Sequence, residues 1–182
     1  MGELRQQKIK YQAAVPVLMR WLPRVSYLPL FEDIVRTLSV PFARKEAQPL
    51  FLDLFQVPPS VEDPMRPATS GPGEEHIRWV IGNGLGVFSG PEIADELVEL
   101  SLSRQYGHAR SQIVLSLPKV KDSRVPDVLL SLLDDQTVAP SAIEALGKMK
   151  FAGARDRIEG LLDDPSENVR NQAKKALKRM GN

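Results

Sequence analysis

"LLDDPSENVRNQAKKALKRMGN", residues 161–182, decides how the rest of the chain is read. Two aspartates and a proline precede a Val-Arg pair. Small and apolar residues then recur at offsets of 4, 7, 8 and 11 from Val169: Ala173, Ala176, Leu177 and Met180. That spacing marks one face of an α-helix. The same frame fits at Val138 (Ala142, Ala145, Leu146, Met149), at Ala109 (Ile113, Ser116, Leu117, Val120) and at Ile77 (Ile81, Gly84, Leu85, Phe88). A shorter version fits at Leu30 (Ile34, Thr37, Leu38). The frames start 47, 32, 29 and 31 residues apart. A period near 31 indicates stacked helical repeats.

A partner helix is expected ahead of each frame. "RVPDVLLSLLDD" (124–135) and "GARDRIEGLLDD" (153–164) align without gaps at a shift of 29. "AVPVLMRWLP" (14–23), "EAQPLFLDLF" (46–55) and "PEIADELVELSL" (91–102) complete the set. Each unit is then helix A, a turn and helix B, with units at about 12–41, 45–89, 91–121, 124–150 and 153–182. The expectation is one all-α domain over residues 1–182, an α-solenoid of about five antiparallel helix pairs, with no strand. Asp164 and Glu167 predict a capping box, and Pro165 suits a first helical position. Pro91 reads as a helix start, and Pro16 and Pro126 sit near helix starts, where proline does least harm. Gly181 is expected in the left-handed C′ conformation. Residues 57–75, "VPPSVEDPMRPATSGPGEE", widen the second unit and read as an extended or disordered loop, dispensable for folding.

Five residues past each frame start stand Val35, Gly82, Val114 and Ile143, then Lys174. An apolar row that turns cationic suits a terminal repeat with no neighbour to cover it. At the other end, residues 3–13 read as a remnant helix.

"LLDDPSENVRNQAKKALKRMG", "LLDDQTVAPSAIEALGKMK" and "YGHARSQIVLSLPKVKD" resemble the HEAT-like repeats of bacterial HEAT-repeat proteins, of the kind also seen in phycobilisome lyases. The resemblance covers residues 12–182. It implies a solenoid that mainly binds proteins, with the B helices on its concave side. It also implies that an arginine at the second frame position, here Arg78, Arg110 and Arg170, bonds to an aspartate of a neighbouring turn. Asp134, Asp135, Asp163 and Asp164 are available. A bilin lyase or isomerase, or a chaperone for a chromophore-bearing protein, is the enzyme class the resemblance brings with it.

Composition narrows the choices. Hydrophobic residues make up 42% and charged residues 26%, ordinary for a globular chain. A net charge of +1 supplies no field to recruit nucleic acid or an anionic membrane. Cysteine is absent, which excludes thiolate nucleophiles, disulfides and cysteine-based zinc sites. No apolar run approaches a bilayer span, no secretory signal is visible, and a cytoplasmic location is expected.

No catalytic constellation is legible, and neither a cofactor nor a metal is expected. "GNGLG" (82–86) lies inside a B-helix frame rather than after a strand, so close helix packing is its reading. His76 and His108 each precede a frame start. Turn or cap roles are preferred for them over a metal pair with Glu74 and Glu75. Lys174, Lys175, Lys178 and Arg179 read as a solvated cap at the negative end of the last helix.

The expected function is a non-catalytic scaffold or adaptor that docks a protein or peptide on the concave face. Helical phase places Arg36, Asn83, Leu115, Glu144 and Lys175 on the most exposed B-helix row. The flanking rows hold Asp33, Val80, Gln112, Ser141 and Gln172, then Glu32, Trp79, Ser111, Pro140 and Asn171. The binding set is Arg36, Trp79, Val80, Asn83, Val87, Gln112, Leu115, Glu144 and Lys175.

Overall fold

The computed structural model describes residues 11–65 and 73–181. The expected remnant helix at 3–13 therefore lies largely outside the described residues. Those residues form ten α-helices linked by short 3-10 turns, and no strand. They fall into two compact units, residues 1–88 and 89–182.

The first unit holds α1 (Val15–Trp21), α2 (Leu28–Leu38), α3 (Arg44–Gln56) and α4 (Glu74–Phe88). Pro16 and Pro29 occupy the first turns of α1 and α2, where a missing N–H costs nothing. α1 packs on α3, α2 on α4, and α3 on α4. The core is aromatic: Phe31, Phe51, Phe55 and Phe88 are fully buried. The Phe51 and Phe88 rings lie 5.4 Å apart. A Cβ at Gly84 would overlap the Phe51 ring, so glycine is what allows α4 to approach α3. In α2 the frame shifts: Leu30 is exposed, and Phe31, at the arginine position of the other frames, fills the core.

Residues 57–65 hold no helix and run as an extended segment with one isolated bridge, Glu62 to Tyr27. The Glu62 N–H donates to the Ser26 carbonyl at 2.7 Å, and the Leu28 N–H donates to the Glu62 carbonyl at 2.8 Å. Val61, next to Glu62, is buried. The bond from Leu28 meets one donor at the start of α2 that the helix itself cannot satisfy. Glu74 and Glu75 belong to α4 and not to a loop. Residues 66–72 lie outside the described residues.

The second unit holds α5 (Ala94–Leu102), α6 (Ser111–Ser116), α7 (Val125–Ser131), α8 (Ala139–Met149), α9 (Arg155–Glu159) and α10 (Glu167–Met180). α5 packs on α7, α6 on α8, and α8 on α10, alongside the sequential neighbours. Its core is aliphatic, with Leu97, Ile113, Leu129, Ile143, Leu146 and Ile158 at its centre. A Cβ at Gly147 would come within 2.7 Å of the Ala176 Cα, another close approach built on small residues.

Three helix-end expectations are corrected in this unit. α10 is capped by Ser166 without a side-chain bond, while the Asp164 carboxylate accepts the Ser166 N–H at 2.8 Å. Pro165 thus precedes the cap. α5 begins at Ala94, after a 3-10 turn over Pro91–Ile93. Gly181 has φ 77° and ψ 179°, an extended mirror conformation open to glycine rather than the left-handed helical one. The left-handed cap occurs instead at Lys150 after α8, where the Phe151 N–H reaches back to the Leu146 carbonyl.

Val35, Gly82, Val114 and Ile143 are buried, while Lys174 in the same register is exposed. Among the described residues no helix is long and apolar enough to cross a membrane.

Candidate functional site

Two helices of the first unit build a groove of about 450 Å³. α2 contributes Glu32, Val35 and Arg36, with Ser39 just past its end, and α4 contributes His76, Trp79, Val80, Asn83 and Val87. The spacing is three to four residues on each helix, so both present a continuous face. Val35 and Val80 are buried, while Arg36, Asn83 and Val87 are exposed and Trp79 is half-buried. Val80, expected on a flanking row of the binding face, lies among the buried side chains at 9% exposure while still lining the groove. The side chains at the groove's rim are held. The carboxylate of Glu32 meets His76 Nε2 at 2.8 Å and Arg36 Nη2 at 3.2 Å. Arg36 Nη1 donates to Asp33 at 3.0 Å. The Asn83 amide donates to the Trp79 carbonyl at 3.0 Å. The His76 and Trp79 rings lie 6.3 Å apart and 22° from parallel.

Five members of the sequence-derived set therefore meet in one place: Arg36, Trp79, Val80, Asn83 and Val87. The other four belong to the second unit. Gln112 and Leu115 are half-buried on α6, Glu144 is half-buried on α8, and Lys175 is exposed on α10. Glu144 pairs with Lys148 at 2.9 Å. It also lines a more polar groove of about 410 Å³ with Ser141 and Gln172, a groove that His108 joins. Ser111, expected on a flanking row, is buried, with its hydroxyl 3.2 Å from His108 Nδ1.

No known family model matches the chain, and neither does any curated protein. The site must be read from its own chemistry.

That chemistry is one of contact. His76 bonds to Glu32, and His108 faces the Thr137 carbonyl at 3.4 Å. Among the described residues no three histidine, aspartate or glutamate side chains gather as a metal site. The arginines of the frame mainly cap carbonyls. Arg78 donates to the Phe55 and Gln56 carbonyls at the end of α3, and its salt-bridge partner is Glu74, one turn back. Arg170 donates to the Asp164 and Pro165 carbonyls, not to the Asp164 carboxylate. Arg170 thereby corrects the expected aspartate side-chain pairing. A guanidinium matches several free carbonyls where a helix ends and the dipole is negative.

Arg110 follows the expectation. Buried, it donates to Asp135 at 2.8 Å and to the Ser101 carbonyl at 2.9 Å. Burial pushes the Asp135 carboxyl up, but the bonds from Arg110 and Thr137 outweigh it and hold it below the usual carboxylate value. Asp134 pairs with Arg157 at 2.6 Å, and Asp163 is exposed.

Sequence reasoning had Glu32 in a flanking row and His76 among the ligand candidates. It missed the bond between them. It also missed Val35 and Ser39 as groove residues. Val35 stood in the row assigned to the neighbour-facing side, and Ser39 lies just past the end of α2.

Proposed function

We propose that the chain is a non-catalytic protein-binding module, a short α-solenoid of HEAT-like repeats that docks a segment of a partner protein or peptide. A cytoplasmic setting is part of this reading. The packing of alternate helices on one another within each unit supports the repeat stack. The observation that carries the docking site is the groove between α2 and α4. There a half-buried tryptophan stands beside valine side chains, and Arg36, Asn83 and Glu32 form a polar rim. An aromatic side chain over an aliphatic floor with a hydrogen-bonding rim is the composition of an interaction hot spot.

The test begins with affinity capture from the native host and identification of the bound segment by mass spectrometry. A titration of that segment against the purified chain follows. Trp79→Ala is expected to weaken binding by about 2 kcal/mol or more, as hot-spot truncations do. Its stability should stay within about 1 kcal/mol of the parent. Leu115→Glu is expected to keep stability similarly and to lose capture if the second unit contributes contacts. Unfolding of the Trp79→Ala chain would make the residue core and end this site assignment.

A further inference from the structure

We propose that proton uptake by His76 tightens a clasp across the groove and thereby sets the environment of Trp79. The proposal is a regulation of the docking site above and rests on that reading. His76 stands in the first turn of α4, and its Nε2 reaches across to Glu32 on α2 at 2.8 Å. Its other neighbour is the Trp79 ring, nearly parallel to it. One imidazole thus touches the opposite wall and the aromatic anchor together. Its side chain is 37% exposed, so protons reach it from solvent.

The charged groups around it are Glu32, Asp33 and Arg36 on α2 and Glu74, Glu75 and Arg78 on α4. Arg36 is shared between Glu32 and Asp33, and Arg78 holds Glu74. Neutral imidazole can give Glu32 a single N–H. Protonated imidazole turns the same contact into an ion pair and adds Coulombic attraction to the Glu32 carboxylate. It also sets a cation against the indole. An apolar side chain entering the groove must then strip water from that cation. The groove accepts its occupant with His76 neutral and resists it once the imidazole is protonated.

The chain has two tryptophans, Trp21 and Trp79, which gives the clasp its own reporter. Trp21 is exposed on α1, so Trp21→Phe leaves Trp79 as the sole indole without touching the core. Fluorescence of the full-length Trp21→Phe chain is followed from pH 8 to pH 5, with circular dichroism to confirm folding. Emission is expected to fall about twofold and reversibly as the imidazolium forms beside the indole. The change should vanish in Trp21→Phe/His76→Gln and shrink in Trp21→Phe/Glu32→Gln. A flat profile, or the same profile in the His76→Gln chain, overturns the proposal. A full transition in a chain whose groove docks no peptide removes the docking reading and leaves the clasp. Trp79-dependent docking with a flat profile removes the clasp alone.

Discussion

The two units are both helical and are held together differently. The described residues of the first pack around phenylalanine rings, whereas those of the second pack around aliphatic side chains and one buried guanidinium. In the second unit, ion pairs tie helices that are not sequence neighbours. Arg110 holds Asp135, Arg124 holds Asp95, and Arg157 holds Asp134. In the first unit His76 pairs with Glu32 from one helix to another, at the rim of the groove. The surfaces differ in the same sense. Among the described residues, Leu102 is the one large hydrophobic side chain exposed in the second unit. Val17, Trp21, Tyr27, Leu30, Phe42, Val57, Met65 and Val87 are exposed in the first. A polar-stapled unit leaves little apolar surface for recognition. The ring-packed unit keeps some, and its groove lies there.

The largest test of that contrast is Arg110→Ala. It takes the 2.8 Å guanidinium from Asp135, whose side chain is only 10% exposed, and leaves it the exposed Arg104 at 3.7 Å. Removing one partner of a buried pair costs about 3–5 kcal/mol, to be read from urea unfolding. The pair also makes the second unit acid-sensitive. The folded Asp135 carboxyl sits below its unfolded value, so its contribution is complete above the unfolded value, about 3.9. It is lost as pH falls through the lower folded value. Asp122 is held at about 2 by its bonds to Arg124, but that partner is exposed and the pair lies at the surface, so it adds little. Between pH 5 and pH 2 the parent chain should lose more stability than Asp135→Asn does over the same interval.

Val61→Asp comes next. It puts a carboxylate into the small apolar contact under the 57–65 segment and should cost about 2–3 kcal/mol by thermal melting, in the range of a buried charge. A change near zero would return this segment to the dispensable loop that its prolines suggest. The smallest effect is expected from Gly84→Ala. The added methyl meets the Phe51 ring, an overpacking cost of about 1–3 kcal/mol. Better helix propensity offsets it by about 1 kcal/mol. A gain in stability would show that Phe51 has room to move and that the aromatic core is looser than drawn.

Several features were legible before any coordinates. The all-helical class, the frames at 77, 109, 138 and 169 and the buried row ending in exposed Lys174 follow from a period that burial enforces locally. The crowding at Gly84 was readable because alanine occupies the same position in two other frames. Five of the groove residues were readable from phase, since 100° per residue fixes which side chains share a face. Phase fails where a helix is short or loosely framed. In α2 the inward residue is Phe31 rather than Leu30, and Ser111 turns inward at the start of α6.

Tertiary structure alone decided the rest. The meeting of His76 with Glu32, 44 residues apart, depends on how α2 lies along α4. The pairing of Glu62 with Ser26 and Leu28 depends on where the 57–65 segment returns. Carbonyls, not carboxylates, take up much of Arg78 and Arg170 because helix ends leave backbone acceptors that a residue-type pattern does not display. Periodicity assigns a side chain to a face, because that depends on one helix. Which two faces meet, and which polar atoms find each other there, depends on packing between helices, and the period carries no record of it.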